Sequence, residues 1–186
     1  MDTEFNKDVL SLSFRFYSKA LSFPYDELTH EFQYLFREME KMVDSDLDNL
    51  IAAKVLDVIN SYQGEEMSAL QTEYSRLFSH NETEKPLISI QLTDFISSSK
   101  YDALMNFLTD SIVPIDLEEY PDTVMNVLDY FSSIIGEEPD EMVVDFFNQF
   151  IAAGIPPFSE QVYKGSNLNF YKEIARALNE MIYLMS

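Results

Sequence analysis

Apolar residues recur at every third or fourth position through most of the chain, which is the spacing that lines one face of an α-helix. The alternation of apolar and polar residues that a half-buried strand needs is not sustained in the sequence. We therefore predict an all-α fold, a single-domain helical bundle over residues 1–186. The predicted helices cover residues 5–21, 28–39, 47–62, 70–78, 87–96, 101–108, 121–135, 139–151 and 169–182.

Prolines, polar caps and glycines mark where these helices are expected to begin and end. Pro121 and Pro139 suit the first turn of a helix, where a missing backbone N–H costs no hydrogen bond. Asp44 and Ser45 are candidate caps of the third helix. The apolar pattern breaks near 79–86, so a loop or hinge is expected there. Three glycines fall where an apolar period stops, as helix C-terminal caps do: Gly64, Gly136 and Gly154.

The composition supports a folded core and limits the chemistry. Hydrophobic residues make up 46% of the chain, including 15 Phe and 11 Tyr. The absence of Cys excludes disulfides, thiolate metal sites and cysteine nucleophiles, and is compatible with a reducing cytoplasm. No stretch approaches the roughly 20 apolar residues of a membrane span, and no secretory signal is visible. We expect a cytoplasmic protein without stable membrane insertion.

The charge is strongly negative and unevenly distributed. The chain has 33 acidic and 12 basic residues, a formal net charge of -21 and a pI of about 4.1. Residues 101–163 carry thirteen Asp or Glu and no Lys, Arg or His. Nucleic-acid binding needs cations that displace counterions, so it is excluded as a function. Two interpretations stay open: solvated helix faces that keep the protein soluble, or a surface for a basic partner.

Catalytic motifs are absent from the sequence. The four glycines do not cluster into a loop that could cradle phosphate. Glu27 and His30 have the i, i+3 spacing of di-iron helical bundles, but His80 offers no second pair. No nucleophile elbow or calcium loop is present. We therefore expect no enzyme, no metal and no cofactor.

Three segments, taken in order, resemble the TorD/DmsD/NarJ family of molybdoenzyme-specific assembly chaperones, also called redox enzyme maturation proteins. Residues 73–78, Glu-Tyr-Ser-Arg-Leu-Phe, resemble an E-Y-x-R-L-F element on a middle helix of the family. Residues 88–94, 119–122 and 127–131 are similar to the nitrate reductase delta-subunit branch. Residues 146–175 resemble the family ending, whose last helix carries F-Y-x-x-h-A and follows a short turn with a proline and an aromatic.

The chain also departs from the family pattern. Many members carry a histidine after the proline-aspartate turn, where this chain has Thr123, so a role of that imidazole does not carry over. The tryptophan that often precedes the late proline is absent. The resemblance therefore gives little support to nucleotide binding and more to peptide binding.

The resemblance implies a cytoplasmic chaperone without turnover. It would bind the N-terminal leader of a molybdenum oxidoreductase catalytic subunit, such as a twin-arginine signal peptide, and assist cofactor insertion before export or membrane docking. Carboxylates would pair with leader arginines beside an apolar groove. The candidate peptide-binding residues are Glu73, Tyr74, Arg76, Phe78, Asp116, Glu118, Glu119, Pro121, Asp122, Thr123, Leu128, Phe131 and Tyr171.

Other interpretations remain open at this point. The aromatic and leucine candidates also lie at helical spacing and fit a core. Glu73 and Arg76 fit an intrahelical pair, and Asp122 fits a first-turn partner of the helix dipole. The alternative function is an acidic helical adaptor that binds a basic protein without a redox role. An enzyme that uses carboxylates is a third hypothesis. Either a monomer or a dimer swapped through the 79–86 loop is expected.

Overall fold

The described part of the protein folds into packed α-helices. The structure is a computed structural model that describes residues 5–79, 85–109 and 121–186. The all-α prediction is confirmed. The helices are α1 (Lys7–Ala20), α2 (Leu28–Met42), α3 (Asp46–Gln63), α4 (Met67–Phe78), α5 (Tyr101–Thr109), α6 (Val124–Glu137), α7 (Asp140–Phe146), α8 (Ala152–Gly165) and α9 (Asn169–Met185).

The core forms around α1. This helix packs most extensively against α6 and also contacts α2, α3 and α9, while α9 packs on α8 and α3. The apolar period of α1 explains its central position, because residues such as Val9, Phe14 and Tyr17 are fully buried. Phe14 meets Phe131 of α6 edge to face, with ring centroids 4.7 Å apart. In the described part of the chain, no helix is both long and apolar enough to cross a membrane.

Polar caps set several helix starts. The Ser45 hydroxyl accepts a hydrogen bond from the Asp48 N–H at 3.1 Å and caps α3, as predicted. The start predicted for the helix at Pro121 is wrong. That helix begins at Val124, because the Thr123 hydroxyl accepts from a backbone N–H of the first turn. A helix does begin at the predicted place near Pro139, but Pro139 is its N-cap residue and not part of its first turn, since α7 begins at Asp140.

The prediction of a helix over 87–96 is wrong. This segment is irregular, with a 3₁₀ turn at Leu92–Asp94 and an isolated antiparallel bridge between Gln91 and Thr123. Its backbone groups bond to other segments: the Leu92 N–H donates to the Asp122 carbonyl at 2.8 Å, and the Ile90 carbonyl accepts from the Val124 N–H at 2.7 Å. The apolar spacing therefore reflects packing of an irregular segment on α8, where the Phe95 ring lies 5.5 Å from that of Phe158. The hinge predicted near 79–86 falls mainly on 80–84, outside the described residues.

The chain stays helical where a short proline turn was expected, so that prediction is wrong. A π-helical turn at Phe147–Ile151 joins α7 to α8, and Pro156 and Pro157 lie inside α8. A proline ring clashes with the carbonyl four residues earlier, and a wider turn just before it gives the backbone room. The helix continues through the prolines to Gly165, and α8 packs against α9.

The three glycines differ in role. Gly64 is the C-cap of α3, as predicted. Gly136 lies within the last turn of α6, whose cap is Glu138, so its predicted role as the cap is wrong. Gly154 is also wrongly predicted as a cap, because it lies inside α8 against the 3₁₀ turn. A Cβ there would lie 2.5 Å from the Leu92 Cδ1 atom. Gly154 therefore allows close packing between a loop and a helix.

Alanine at two of these glycines should have opposite effects on stability. We expect Gly136→Ala to raise the free energy of unfolding by about 0.5 kcal/mol, since its Cβ meets nothing within 4 Å and alanine favours helix. Gly154→Ala should lower it by about 1 kcal/mol, because overpacking against buried Leu92 exceeds the helix-propensity gain. Urea denaturation of both variants tests this. Equal shifts would mean that the loop does not pack closely on α8.

Candidate functional site

Hydrogen bonds to the Glu73 carboxylate link α4 to the connection between α8 and α9. Its carboxylate accepts two hydrogen bonds from the Arg76 guanidinium, at 2.8 Å from Nε and 2.7 Å from Nη2. The Oε1 atom also accepts from the Asn167 N–H at 2.5 Å and from the Ser166 hydroxyl at 3.1 Å. The Arg76 Nη2 atom donates to the Gly165 carbonyl at 2.5 Å. The pair therefore joins segments about ninety residues apart.

These contacts leave Glu73 little capacity for a ligand. Only 6% of the residue is exposed. The hydrogen bond from Arg76 is the main cause that lowers the pKa of Glu73 to about 2, against the opposing effect of burial. Because the carboxylate is buried and accepts three hydrogen bonds at Oε1 and one at Oε2, all from protein donors, it is committed to the fold. The Arg76 side chain is 38% exposed and is the member of the pair that faces solvent.

Hydrogen bonds of Asp122 and an isolated bridge at Thr123 link the loop over 85–100 to the start of α6. The Asp122 Oδ2 atom accepts a hydrogen bond from the Thr93 hydroxyl at 2.5 Å. Asp122 is 4% exposed and Thr123 is 7% exposed. Pro121, just before them, is partly buried in a turn. In this arrangement the Asp122 carboxylate faces the protein, and a leader arginine would need other carboxylates nearby.

The apolar candidates lie in the core. Leu128, Phe131 and Tyr171 have no exposed surface, and Tyr74 and Phe78 are 8% and 5% exposed. The Tyr171 hydroxyl donates to a carbonyl of α4, and its ring lies 6.2 Å from that of Phe78. Leu128 and Phe131 lie instead between α1 and α6. In this conformation these side chains support the site and do not present a surface to a peptide.

The remaining candidates, Asp116, Glu118 and Glu119, lie outside the described residues. Of the described residues on either side, Leu108 of α5 is buried, and Asp122 accepts a hydrogen bond from Thr93. The role predicted for the three carboxylates therefore stays a prediction.

A groove of about 610 Å³ runs between α8 and α9. Sequence reasoning missed it, because it identified only the inward faces of these helices. The signal that was available is the row of polar residues spaced three and four apart on the outer face of α9. The groove is lined by Pro156, Pro157, Ser159, Glu160, Tyr163, Ala175, Arg176, Asn179 and Glu180.

The described residues show no grouping of three His, Cys, Asp or Glu side chains that could hold a metal ion. His30 is exposed on α2, one turn from Tyr34, and His80 lies outside the described residues. A shallow depression of about 710 Å³ on the outer face of α2 is lined by His30, Tyr34, Arg37 and neighbours from that one helix. A surface formed by a single helix encloses little, so α8 and α9 offer the better-defined groove.

Comparison with known proteins identifies the fold. No family model matches the sequence, and no curated protein matches it. A solved structure from Archaeoglobus fulgidus, provisionally assigned as a redox enzyme maturation protein, superposes with a TM-score of 0.58 at 15% sequence identity. The match covers 98% of this chain and 97% of that chain. The whole chain therefore has the fold of that protein, a helical bundle.

Proposed function

We propose that this protein is a system-specific chaperone for the maturation of a molybdenum oxidoreductase, closest to the nitrate reductase delta-subunit branch. It binds the N-terminal leader of the catalytic subunit in the cytoplasm and holds it while the cofactor is inserted. One observation carries the proposal: the family-like segments contact one another in a fold shared over its full length with a maturation protein. Glu73 meets the 165–167 connection, and Asp122 meets Thr93.

The charge distribution suits a basic leader. Residues 101–163 contain thirteen acidic residues and no cation in their sequence, so every charged side chain that this segment itself contributes attracts a leader arginine. Exposed charge pairs contribute about 0.2 to 1 kcal/mol each, so the carboxylates steer and select the leader. Apolar contacts supply most of the holding energy. The acidic adaptor remains the alternative, and it requires binding by charge alone.

The maturation role can be tested by co-expressing this protein with the catalytic subunit of a candidate client molybdoenzyme. We expect that co-expression raises the molybdenum content of the purified subunit several-fold over expression alone. The physical reason is that a leader bound to the chaperone cannot enter the export pathway, so the apo subunit stays in the cytoplasm until the cofactor is inserted. The measurement is molybdenum per subunit by elemental analysis. Equal content with and without this protein would contradict the proposal.

The acidic segment should contribute directly to leader binding. We expect the double substitution Glu118→Gln and Glu119→Gln to weaken leader binding by about three- to tenfold, because two rim charge pairs are lost. The matched control is Glu137→Gln with Glu138→Gln at the end of α6, which changes the net charge equally. Calorimetric titration measures both. Equal weakening by the two double variants would indicate a general charge effect and contradict a site in the segment.

A further inference from the structure

The short helix α5 covers a groove lined by aromatic rings of α7 and of the π turn that follows it. The Phe107 ring lies 5.4 Å from that of Phe146 and 5.7 Å from that of Phe150, edge to face in both cases. Leu104 and Leu108, on the same face of the helix, are buried. Apolar side chains at positions i, i+3 and i+4 therefore fill this α5 groove in the way that a bound amphipathic helix would.

A cation immediately before α5 is bonded to the edge of this groove. The Lys100 Nζ atom donates a hydrogen bond to the backbone carbonyl of Gln149 in the π turn, at 2.9 Å. A cation at this place is unfavourable for α5 itself, because the N-terminus of a helix carries a partial positive charge. The bond to the Gln149 carbonyl accounts for the position of the lysine. The α5 groove therefore accepts a cation that is followed by an apolar helix.

α5 is held less firmly than the central helices. Among the described residues, its backbone packs extensively only on the 3₁₀ turn that precedes it, Ser98–Lys100. Two of its nine residues are buried, whereas eight of the fourteen residues of α6 are. Segments with few buried apolar contacts open at the lowest free-energy cost. The opening of α5 therefore costs less than that of α6.

We propose that α5 is an autoinhibitory helix, which occupies the site of the leader's apolar stretch and is displaced when the leader binds. This inference rests on the proposed function and assigns a binding site and a regulatory step to it. The leader has the same order of chemical groups as residues 100–108, a basic residue followed by an apolar stretch. Its basic side chain bonds to the Gln149 carbonyl in place of Lys100. Its apolar side chains replace those of α5 against Phe146 and Phe150.

Displacement favours a leader that covers more apolar surface than α5 does. The hydrophobic contribution to binding grows with the apolar area buried, and α5 buries only two leucines completely. Part of the binding free energy is used to move α5 away, so the apparent dissociation constant is the intrinsic one divided by the fraction of open protein. Short or weakly apolar peptides therefore fail to displace α5. This competition selects an apolar leader over other basic peptides.

A single introduced thiol can follow the displacement of α5. Because the chain has no Cys, Leu104→Cys places one thiol on the buried face of this helix. A maleimide should label it at least about tenfold faster when the synthetic leader peptide of a candidate client is saturating, since displacement exposes the thiol. The matched control is Leu128→Cys, buried in α6, whose labelling the leader should not accelerate. A scrambled peptide of equal composition should accelerate neither.

Variants that loosen α5 should bind the leader more tightly. We expect Lys100→Met, which loses the bond to Gln149, and Leu108→Ala, which leaves a cavity under α5, each to lower the dissociation constant about threefold to tenfold. The matched controls are Lys164→Met, an equal change of charge on α8, and Leu35→Ala, a buried position of α2. Both controls should bind the leader as the wild type does. Calorimetric titration measures binding, and melting temperatures establish that each variant is folded.

The outcomes separate this inference from the proposed function. If the wild type binds the leader and the labelling of Leu104→Cys is not accelerated, the inference is overturned and the proposed function stands. Unchanged or weaker binding by Lys100→Met and Leu108→Ala would also overturn it, since α5 would then not compete with the leader. If the wild type binds no leader, both are overturned.

Discussion

Phe131→Ala should lower the free energy of unfolding by about 4 kcal/mol, the largest single effect that we expect. The ring has no exposed surface. It packs edge to face on Phe14 at 4.7 Å and is stacked on Phe146 at 5.8 Å. Its removal leaves a cavity between α1 and α6 that the surrounding rings cannot fill without leaving their rotamers. Urea or guanidinium denaturation measures the change.

The control for this variant is Phe23→Ala, since Phe23 is 48% exposed and its ring meets that of Tyr74 edge to face, with centroids 5.4 Å apart. We expect a loss below about 1 kcal/mol for it. If Phe131→Ala were as stable as Phe23→Ala, the residue would be accessible. Phe131 would then again be a candidate for direct contact with the leader.

Glu73→Gln should cost about 3 kcal/mol of stability at neutral pH. The amide keeps the shape of the side chain but loses the charge that pairs with Arg76. If its oxygen takes the place of Oε1, it keeps the hydrogen bonds from the Asn167 N–H and the Ser166 hydroxyl, but its NH₂ group then faces the Arg76 Nε–H, and two donors meet where a hydrogen bond was. Denaturant unfolding, with the helical content checked by circular dichroism, measures the effect.

The same carboxylate predicts a pH dependence. The pKa of Glu73 in the folded protein is about 2, below its ordinary value of 4.5. A lowered pKa stabilises the folded state fully above about pH 4.5, and this stabilisation is lost as the pH falls toward 2. The stability difference between the wild type and Glu73→Gln should therefore shrink over that range. If the difference in free energy of unfolding between the two proteins were constant from pH 6 to pH 3, the lowered pKa of Glu73 would be contradicted.

Glu160→Gln is the matched control for charge. Glu160 also pairs with a cation on its own helix, but it is exposed, and solvent screens the pair. We expect no measurable change in its melting temperature at any pH in the same range. A loss equal to that of Glu73→Gln would mean that net charge, rather than the buried hydrogen bonds, determines the effect.

The helices were predictable because most of them bury one face. The period of α1 and of α9 follows directly from residues such as Phe14 and Tyr171, which are fully buried. The prediction of a helix over 87–96 was wrong because apolar residues of an irregular segment pack on α8 at spacings that imitate a helical period. The prediction of a turn at Pro156 and Pro157 was wrong because proline, which usually ends a helix, lies inside one here. A preceding π turn lets this one continue.

The site was less predictable than the fold. The sequence motifs pointed to Glu73 and Asp122, but spacing along the chain does not tell whether a carboxylate faces solvent or another segment. In the structure Glu73 bonds to Ser166 and Asn167, which are 93 and 94 positions away. Asp122 bonds to Thr93, which is 29 positions away. The groove between α8 and α9 depends on an outer face that apolar periodicity ignores. Only the packing of the two helices reveals it.

The most direct test of the chaperone account is a calorimetric titration of the protein with the leader peptide and with a scrambled peptide of equal composition. The account predicts at least about tenfold tighter binding of the leader, or about 1.4 kcal/mol, because apolar contacts depend on the order of residues. Equal binding of the two peptides would contradict it and leave an acidic adaptor that recognises charge alone.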